Sequence, residues 1–264
     1  MGRNLVFTSG KGGVGKTTMC ANVGIALSML GHKVVMVDAD IGLNNLDVVM
    51  CVENKVTYDI ADVVEGKCRL KQALIQDIDF PDLYILPSYH NYDTANITAS
   101  NFKSVVDTLS SGFDFVIIDC PAGIDSGFHR AVSAATEAYV VTTPHISAVR
   151  DADKVMSLLQ TYPLLNVGLV INRMRGDMIV GGEMMAAGDI SRLLRCTPVG
   201  VIPDDDNITS KSDIMRHNVE CEVKQAVMIL AENIVSGKRR IYDCTNEYRG
   251  LFGRLKVKLR RMLS

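Results

Sequence analysis

Apolar and polar positions along the chain fall into short, continuous apolar runs that alternate with longer stretches of helical spacing. Residues 5–7 read as a buried strand, and over 17–30 the apolar positions Met19, Val23, Ala26, Leu27 and Leu30 recur at helical intervals. Gly31 then stands where a helix C-cap glycine belongs, and 33–37 form a second apolar strand. Short helices are predicted over 56–66 and 68–74, a strand over 83–86 stopped by Pro87, a polar loop over 88–99 and a helix over 102–109. The run 113–118 has a β-branched centre and no alternation, which predicts a central strand covered on both faces. Strands at 138–143, 167–171 and 199–202 follow, separated by helices at 147–162 and 178–194. Two more helices are predicted over 207–235. A length of 264 residues with 47% hydrophobic content suits one large α/β domain with a sizeable core.

The chemistry concentrates in 8–18, TSGKGGVGKTT. Gly10, Gly15, Lys16 and Thr17 fit the phosphate-loop spacing of a glycine, four free positions, then Gly-Lys-Ser/Thr. Gly12, Gly13, Val14 and Thr18 complete the stretch. A backbone that wraps a phosphate must turn its N–H groups inward through dihedrals and close approaches that a Cβ would obstruct. Lys16 can then reach terminal phosphates, and the Thr17 hydroxyl can ligate Mg²⁺. The setting of strand, loop and helix is the one this chemistry needs, because the helix N-terminus adds its own free N–H groups to the anion site.

Carboxylates stand just past three apolar runs: Asp38 and Asp40 after the second strand, Asp119 after 113–118, and Asp204 beside Pro203 after the last strand. In an open α/β sheet that is the ligand-facing edge. A pair of turn or capping aspartates is the competing reading for Asp38 and Asp40.

One residue goes beyond the general pattern: Lys11 follows the first glycine directly, giving GKGGVGKT. This resembles the deviant phosphate loop of the MinD/ParA family of ATPases, and the resemblance extends over essentially the whole chain. It implies a doubly wound, mainly parallel sheet with helices on both faces, ATP and Mg²⁺ as cofactors, and an ATP-dependent homodimer in which Lys11 reaches the partner's nucleotide. It further implies that Asp38 and Asp119 serve Mg²⁺ together with Thr17, that Lys16 stabilises phosphate charge, and that Asp40 and Asn45 position the attacking water. Asn45 lies in IGLNNLD, which resembles the family's first switch segment. Asn172 is implied to recognise adenine, with Arg173 on the base and Pro203 and Asp204 at the same edge. The stretch ISAVRDADK from Ile146 resembles the septum-site-determining branch of the family, which implies a division inhibitor and a topological-specificity factor as partners. His145 departs from the family there, standing where many members carry Glu. For Arg150, Asp151 and Asp153 a solvated face with local ion pairs is an equal reading.

Net charge changes the picture at the C-terminus. Residues 248–264 carry six basic side chains and no acidic one, and removing this +6 from the overall −2 leaves −8 on the rest. An acidic body argues against general nucleic-acid binding. Tyr248, Leu251, Phe252, Leu255, Leu259, Met262 and Leu263 share one face of a helix, with Arg249, Arg254, Lys256, Arg260 and Arg261 opposite and Lys258 at the border. Such a helix predicts an anchor lying in the headgroup plane of an anionic membrane. A helix docked on the body, or an RNA-binding arm, is the alternative. Each basic residue gains about 1 kcal/mol at such a surface and each large apolar side chain roughly 1.5–3 kcal/mol. Ordering the segment costs about 1–2 kcal/mol per residue, so one tail binds weakly, whereas two tails on one dimer gain about 10²–10⁴ in avidity. The expected organisation is an ATPase domain over 1–235, a polar linker over 236–247 and the amphipathic helix over 248–264.

The remaining composition excludes more than it adds. Seven cysteines without a Cys-x-x-Cys and five scattered histidines predict reduced thiols and no structural zinc. There is no apolar run long enough to span a bilayer and no signal-peptide pattern at residue 1, so the expected location is the cytoplasm, with peripheral membrane association in the ATP state. Three rivals stay open at this point: a partition or carrier ATPase that uses DNA as its surface, a flagellar-number regulator of the same family, and a non-hydrolysing nucleotide-gated scaffold.

Overall fold

The computed structural model describes residues 2–42, 45–88, 97–205, 213–217 and 220–249. Its centre is an eight-stranded sheet in the order β3-β4-β2-β5-β1-β6-β7-β8. The strands are β1 Arg3–Thr8, β2 Val34–Asp38, β3 Ile75–Gln76, β4 Leu83–Leu86, β5 Phe115–Asp119, β6 Glu137–Thr142, β7 Asn166–Met174 and β8 Pro198–Pro203. All pairings are parallel except that of the two-residue edge strand β3 with β4.

Every residue from Asn4 to Thr8 is buried because strand neighbours alternate between two apolar layers. Leu5, Phe7, Met36 and Ile117 enter the layer shared with α1 (Lys16–Met29) and α10 (Glu222–Ser236). Val6, Val35, Val37, Val116 and Ile118 enter the opposite layer with α5 (Ala99–Leu109), α6 (Ser126–Ser133), α7 (Ile146–Leu159) and α9 (Ala187–Leu194). Helices therefore cover both faces, as a doubly wound sheet requires. Helix α1 is buried on nearly every side, and Gly24 lets it press onto the sheet: a Cβ there would lie 2.5 Å from Met36 Sδ.

Strand order places the site. The chain leaves β1 toward β2 on one side, and β6 lies on the other, so the C-terminal end of β1 is a topological switch point. Between β1 and β2 runs β5, paired in register with both, so that Asp38 sits beside Asp119 and Asp119 beside Phe7.

Several elements differ from the sequence pattern. The helix expected over 56–66 is only α3 Ile60–Val64, started by an Asp59 side chain that accepts from the N–H groups of Ala61 and Asp62. The second short helix shrinks to α4 Leu70–Ala73. The helix expected over 178–194 is split into α8 Gly176–Val180 and α9, with Gly182 at φ +77° in the break. Helices α2 Leu46–Val49 and α6 were not expected at all. Of the pair expected over 207–235, residues 207–212 and 218–219 lie outside the described residues; the rest holds a 3₁₀ turn Ile214–Arg216 and α10. The polar stretch after α10 runs over the body: Cys244 is buried, and Asn233 donates to the Val199 and Arg240 carbonyls. Of the amphipathic helix expected over 248–264, Tyr248 ends a 3₁₀ turn Asn246–Tyr248 and Arg249 is extended, while residues 250–264 lie outside the described residues, as does most of the polar loop over 88–99.

Candidate active site

Three strand ends converge on the loop between β1 and α1. Gly13 and Gly15 take φ values of +76° and +90°, conformations that glycine adopts without strain. A Cβ on Gly15 would also lie 2.4 Å from Asn172 Nδ2. Gly10 is required for another reason, since a Cβ there would meet the Asp151 backbone of α7 at 2.4 Å. The first glycine of the motif thus seats the loop against α7 as well as leaving room for phosphate.

Lys16, the first residue of α1, is buried and its Nζ lies 2.6 Å from Asp119 Oδ1 and 3.4 Å from Thr17 Oγ1. Burial pulls the ammonium pKa down, but the charge of Asp119, with smaller contributions from Cys20 and Cys120, raises it well above its ordinary value. Lys16 is fully charged and already paired. Cys20, one turn along α1, donates its thiol to the same Asp119 oxygen at 3.3 Å.

Asp38 and Asp119 lie side by side at the ends of paired strands, and Lys16 contacts Asp119. Burial first, and then the Asp119 charge, push the Asp38 carboxyl up to about 8, against the N–H groups of Asp40 (2.9 Å) and Leu46 (3.3 Å) that it accepts. Asp119 Oδ2 is sealed from water and has no hydrogen-bond partner among the described residues. An orphaned carboxylate oxygen beside a second carboxylate and a hydroxyl is a donor set that suits a hard cation such as Mg²⁺. No cluster of three or more His, Cys, Asp or Glu side chains that could hold a metal alone occurs among the described residues. Mg²⁺ keeps several waters and is bound through one or two carboxylates plus phosphate.

Asp40 is half-buried, and burial raises its carboxyl above the ordinary value while Lys16 opposes the shift. Asn45 caps α2 but its side chain stays exposed and makes no hydrogen bond among the described residues; Leu43 and Asn44 lie outside them. The loop after β5 is tied to the phosphate loop by Gly123 N–H, which donates to the Ser9 carbonyl at 3.0 Å with Gly123 at φ +94°.

The residues expected at the nucleotide base also come together. Gly15, Thr18, Asn172, Arg173, Pro203 and Asp204 line a cleft of about 180 Å³. Asn172 Nδ2 donates to the Val14 carbonyl at 2.9 Å, which leaves its second N–H and its carbonyl oxygen for a ligand. The register of β7 on β8 slips between Ile171 and Met174, and Arg173 is held at φ +59°, so Asn172 is buried while Arg173 is exposed beside it. On the outer side of the loop Lys11, Gly12 and Gly13 are exposed and line a second cleft of about 400 Å³ with Thr143, His145, Ser147 and Arg173. Among the described residues the Lys11 ammonium has no ion-paired or hydrogen-bonded partner. On α7, Asp151 pairs with Lys154 at 3.0 Å, so part of that face is a local ion pair.

The phosphate loop followed by two strand-end carboxylates matches known proteins throughout. Residues 2–166 match the family model described as an AAA domain. The septum site-determining protein MinD of Bacillus subtilis (strain 168) is 48% identical over 215 residues, covering 81% of this chain and 80% of that protein. The chain belongs to the MinD/ParA family of septum site-determining ATPases. Two solved MinD-family structures agree with that placement. The MinC:MinD cell division protein complex from Aquifex aeolicus superposes with a TM-score of 0.82 at 37% identity, over 89% of this chain and 96% of that one. The septum site-determining MinD complexed with Mg-ADP from Pyrococcus horikoshii gives 0.81 at 30% identity, over 89% and 97%. As a MinD-family member the chain is an ATPase that uses ATP and Mg²⁺. No helix among the described residues is long and apolar enough to cross a membrane.

Sequence reasoning missed Cys20, Asn22 and Arg130. Asn22 is fully buried on α1; its Oδ1 accepts from Met215 N–H at 3.0 Å and its Nδ2 donates to the Thr18 carbonyl, which fixes Ile214 against the 180 Å³ cleft. A lone polar residue inside the apolar face of α1 was the available signal. Arg130 lies on the unexpected α6 and carried none.

Proposed function

We propose that this chain is a nucleotide-switched ATPase whose ATP-loaded form pairs with a second copy, rests on an anionic membrane through residues 248–264 and recruits a division inhibitor that sets the septum. The observation that carries this reading is the division of labour between two lysines of one loop. Lys16 is buried and spent on Asp119, whereas Lys11 is exposed beside an open cleft with no ion-paired or hydrogen-bonded partner among the described residues. A cation left free next to its own phosphate site is available to a phosphate in another copy. The MinC:MinD complex supports a MinC-like inhibitor as partner, and a MinE-like factor is proposed with it.

Each remaining residue follows from its position. Lys16 reaches the terminal phosphates by exchanging Asp119 for phosphate oxygens, so binding swaps one partner for another rather than desolvating a free ammonium. Thr17, Asp38 and Asp119 would hold Mg²⁺, which when bound neutralises charge on the phosphate oxygens. Asp40, with Asn45, orients the attacking water at the same edge. Asn172, Arg173, Pro203 and Asp204 take the base in the 180 Å³ cleft, where the Asn172 amide offers the donor and acceptor an adenine edge needs.

Light scattering tests the pairing: the mass should double with Mg-ATP and stay single with Mg-ADP, and Lys11→Ala should abolish the doubling while leaving ADP affinity within about twofold. Sedimentation with anionic liposomes should require ATP and be lost on removal of residues 248–264. A nucleotide-loaded protein that remains single yet coats vesicles refutes the coupling.

A further inference from the structure

Arg130 is a half-buried cation that the chemistry above does not use. It lies one turn into α6, the helix that continues directly from the loop after β5 and starts with an Asp125 side chain accepting from Gly127 N–H at 3.1 Å. Its guanidinium crosses from α6 to two other segments of the same edge. Nη2 donates to the Ala39 carbonyl at 3.5 Å and Nη1 to the Ile97 carbonyl at 3.4 Å. Ala39 is the residue between Asp38 and Asp40.

These contacts do not repay the burial. Both hydrogen bonds are long, Nε is sealed from water with no acceptor among the described residues, and no carboxylate among them lies within 4 Å. Burial pulls the guanidinium below its ordinary value, with Cys120, Asp125 and Asp40 pulling the other way. A planar fork of five donors with two weak acceptors is suited to a carboxylate that arrives in another state of the site. Asp40 follows Ala39 directly on the loop the fork already touches.

We infer that Arg130 is a positioning residue: it grips the loop after β2 through the Ala39 carbonyl and closes an ion pair with Asp40 when triphosphate is bound, so that the loops after β2 and β5 move as one. This rests on the reading of Asp40 as the group that orients water. The loop after β5 is tied to the phosphate loop through Gly123 and Ser9, and α6 carries Arg130 from its far end. A change at the phosphate loop therefore reaches Asp40 through a chain of named contacts.

Hydrogen exchange of the amides over 36–42 and 45–48 tests this, comparing Mg-ADP with Mg and a non-hydrolysable ATP analogue. In the unaltered protein the analogue should slow exchange there; Arg130→Ala should lose at least about fivefold of that protection, Arg130→Gln as much, and Arg130→Lys only part, since it keeps charge but not the fork. ADP affinity should stay within about twofold in all three, and kcat should fall at least about tenfold with KM little changed. Equal protection in Arg130→Ala and the unaltered protein overturns the proposal, as does a parallel loss of ADP affinity, which would make Arg130 part of the scaffold. If Arg130→Ala does not fold, the Gln and Lys variants carry the same comparison. Asp40→Asn separates the two readings: full activity in that variant removes Asp40 from the chemistry, while lost protection in Arg130→Ala still supports the grip on Ala39.

Discussion

Replacing Lys16 with methionine should destabilise the nucleotide-free protein, independently of any effect on ATP. The side chains of Lys16 and Asp119 are 8% and 1% exposed, and their contact is 2.6 Å. Breaking a buried pair by removing one partner costs about 3–5 kcal/mol, because the remaining charge stays sealed in. At about 2 °C per kcal/mol for a chain of this size, the midpoint should drop by roughly 6–10 °C. Thermal unfolding followed by circular dichroism, without nucleotide, measures it. Lys16→Met with Asp119→Asn should recover most of the loss, since a pair removed together leaves no orphan charge. A single variant that melts within about 1 °C of the unaltered protein at pH 7.5 refutes the reasoning, for Asp119 would then not depend on Lys16.

Two further outcomes follow from the same edge of the sheet. Asp38 titrates near 8 in the folded chain against about 3.8 unfolded, so the folded state holds the extra proton; stability is greatest below about pH 4 and declines as pH rises through 8. Asp38→Asn should flatten that slope in pH-dependent urea titrations without nucleotide, while abolishing Mg²⁺-dependent turnover. Gly15→Ala forces a Cβ into φ +90° and to 2.4 Å from Asn172 Nδ2. It should cost about 1–3 kcal/mol in stability and eliminate ADP binding in a fluorescence titration.

The parts of this site that could be read from the chain are those demanded by local chemistry. Gly13 and Gly15 announce positive φ, Lys16 and Thr17 follow at fixed spacing, and Asp38 and Asp119 end apolar runs. What stayed hidden depends on contacts between distant segments. Gly10 looks like a phosphate-loop glycine, yet its lack of a Cβ is also set by α7, 141 residues away at Asp151. Helix α6 has only Phe128, Ala131 and Val132 as buried apolar positions, too few to show a period. Strand β7 continues through Asn172 and Arg173 to Met174 because a register slip absorbs two polar residues that end the apolar pattern. The break between α8 and α9 falls at Gly181 and Gly182, glycines visible in the sequence but equally tolerable inside a longer helix at modest cost.

The same strand order that makes the site legible also makes it costly at rest. Because β2 and β5 are parallel neighbours in register, their terminal carboxylates are set side by side, and a one-residue slip of either strand would turn its side chains to the wrong apolar layer. Burial and then the Asp119 charge raise the Asp38 carboxyl, and among the described residues neither Asp119 Oδ2 nor Arg130 Nε has a hydrogen-bond partner. Each of these deficits is a polar group that ligand binding can satisfy without disturbing the core. The charges lower the stability of the empty protein, and binding of nucleotide with its cation must return it.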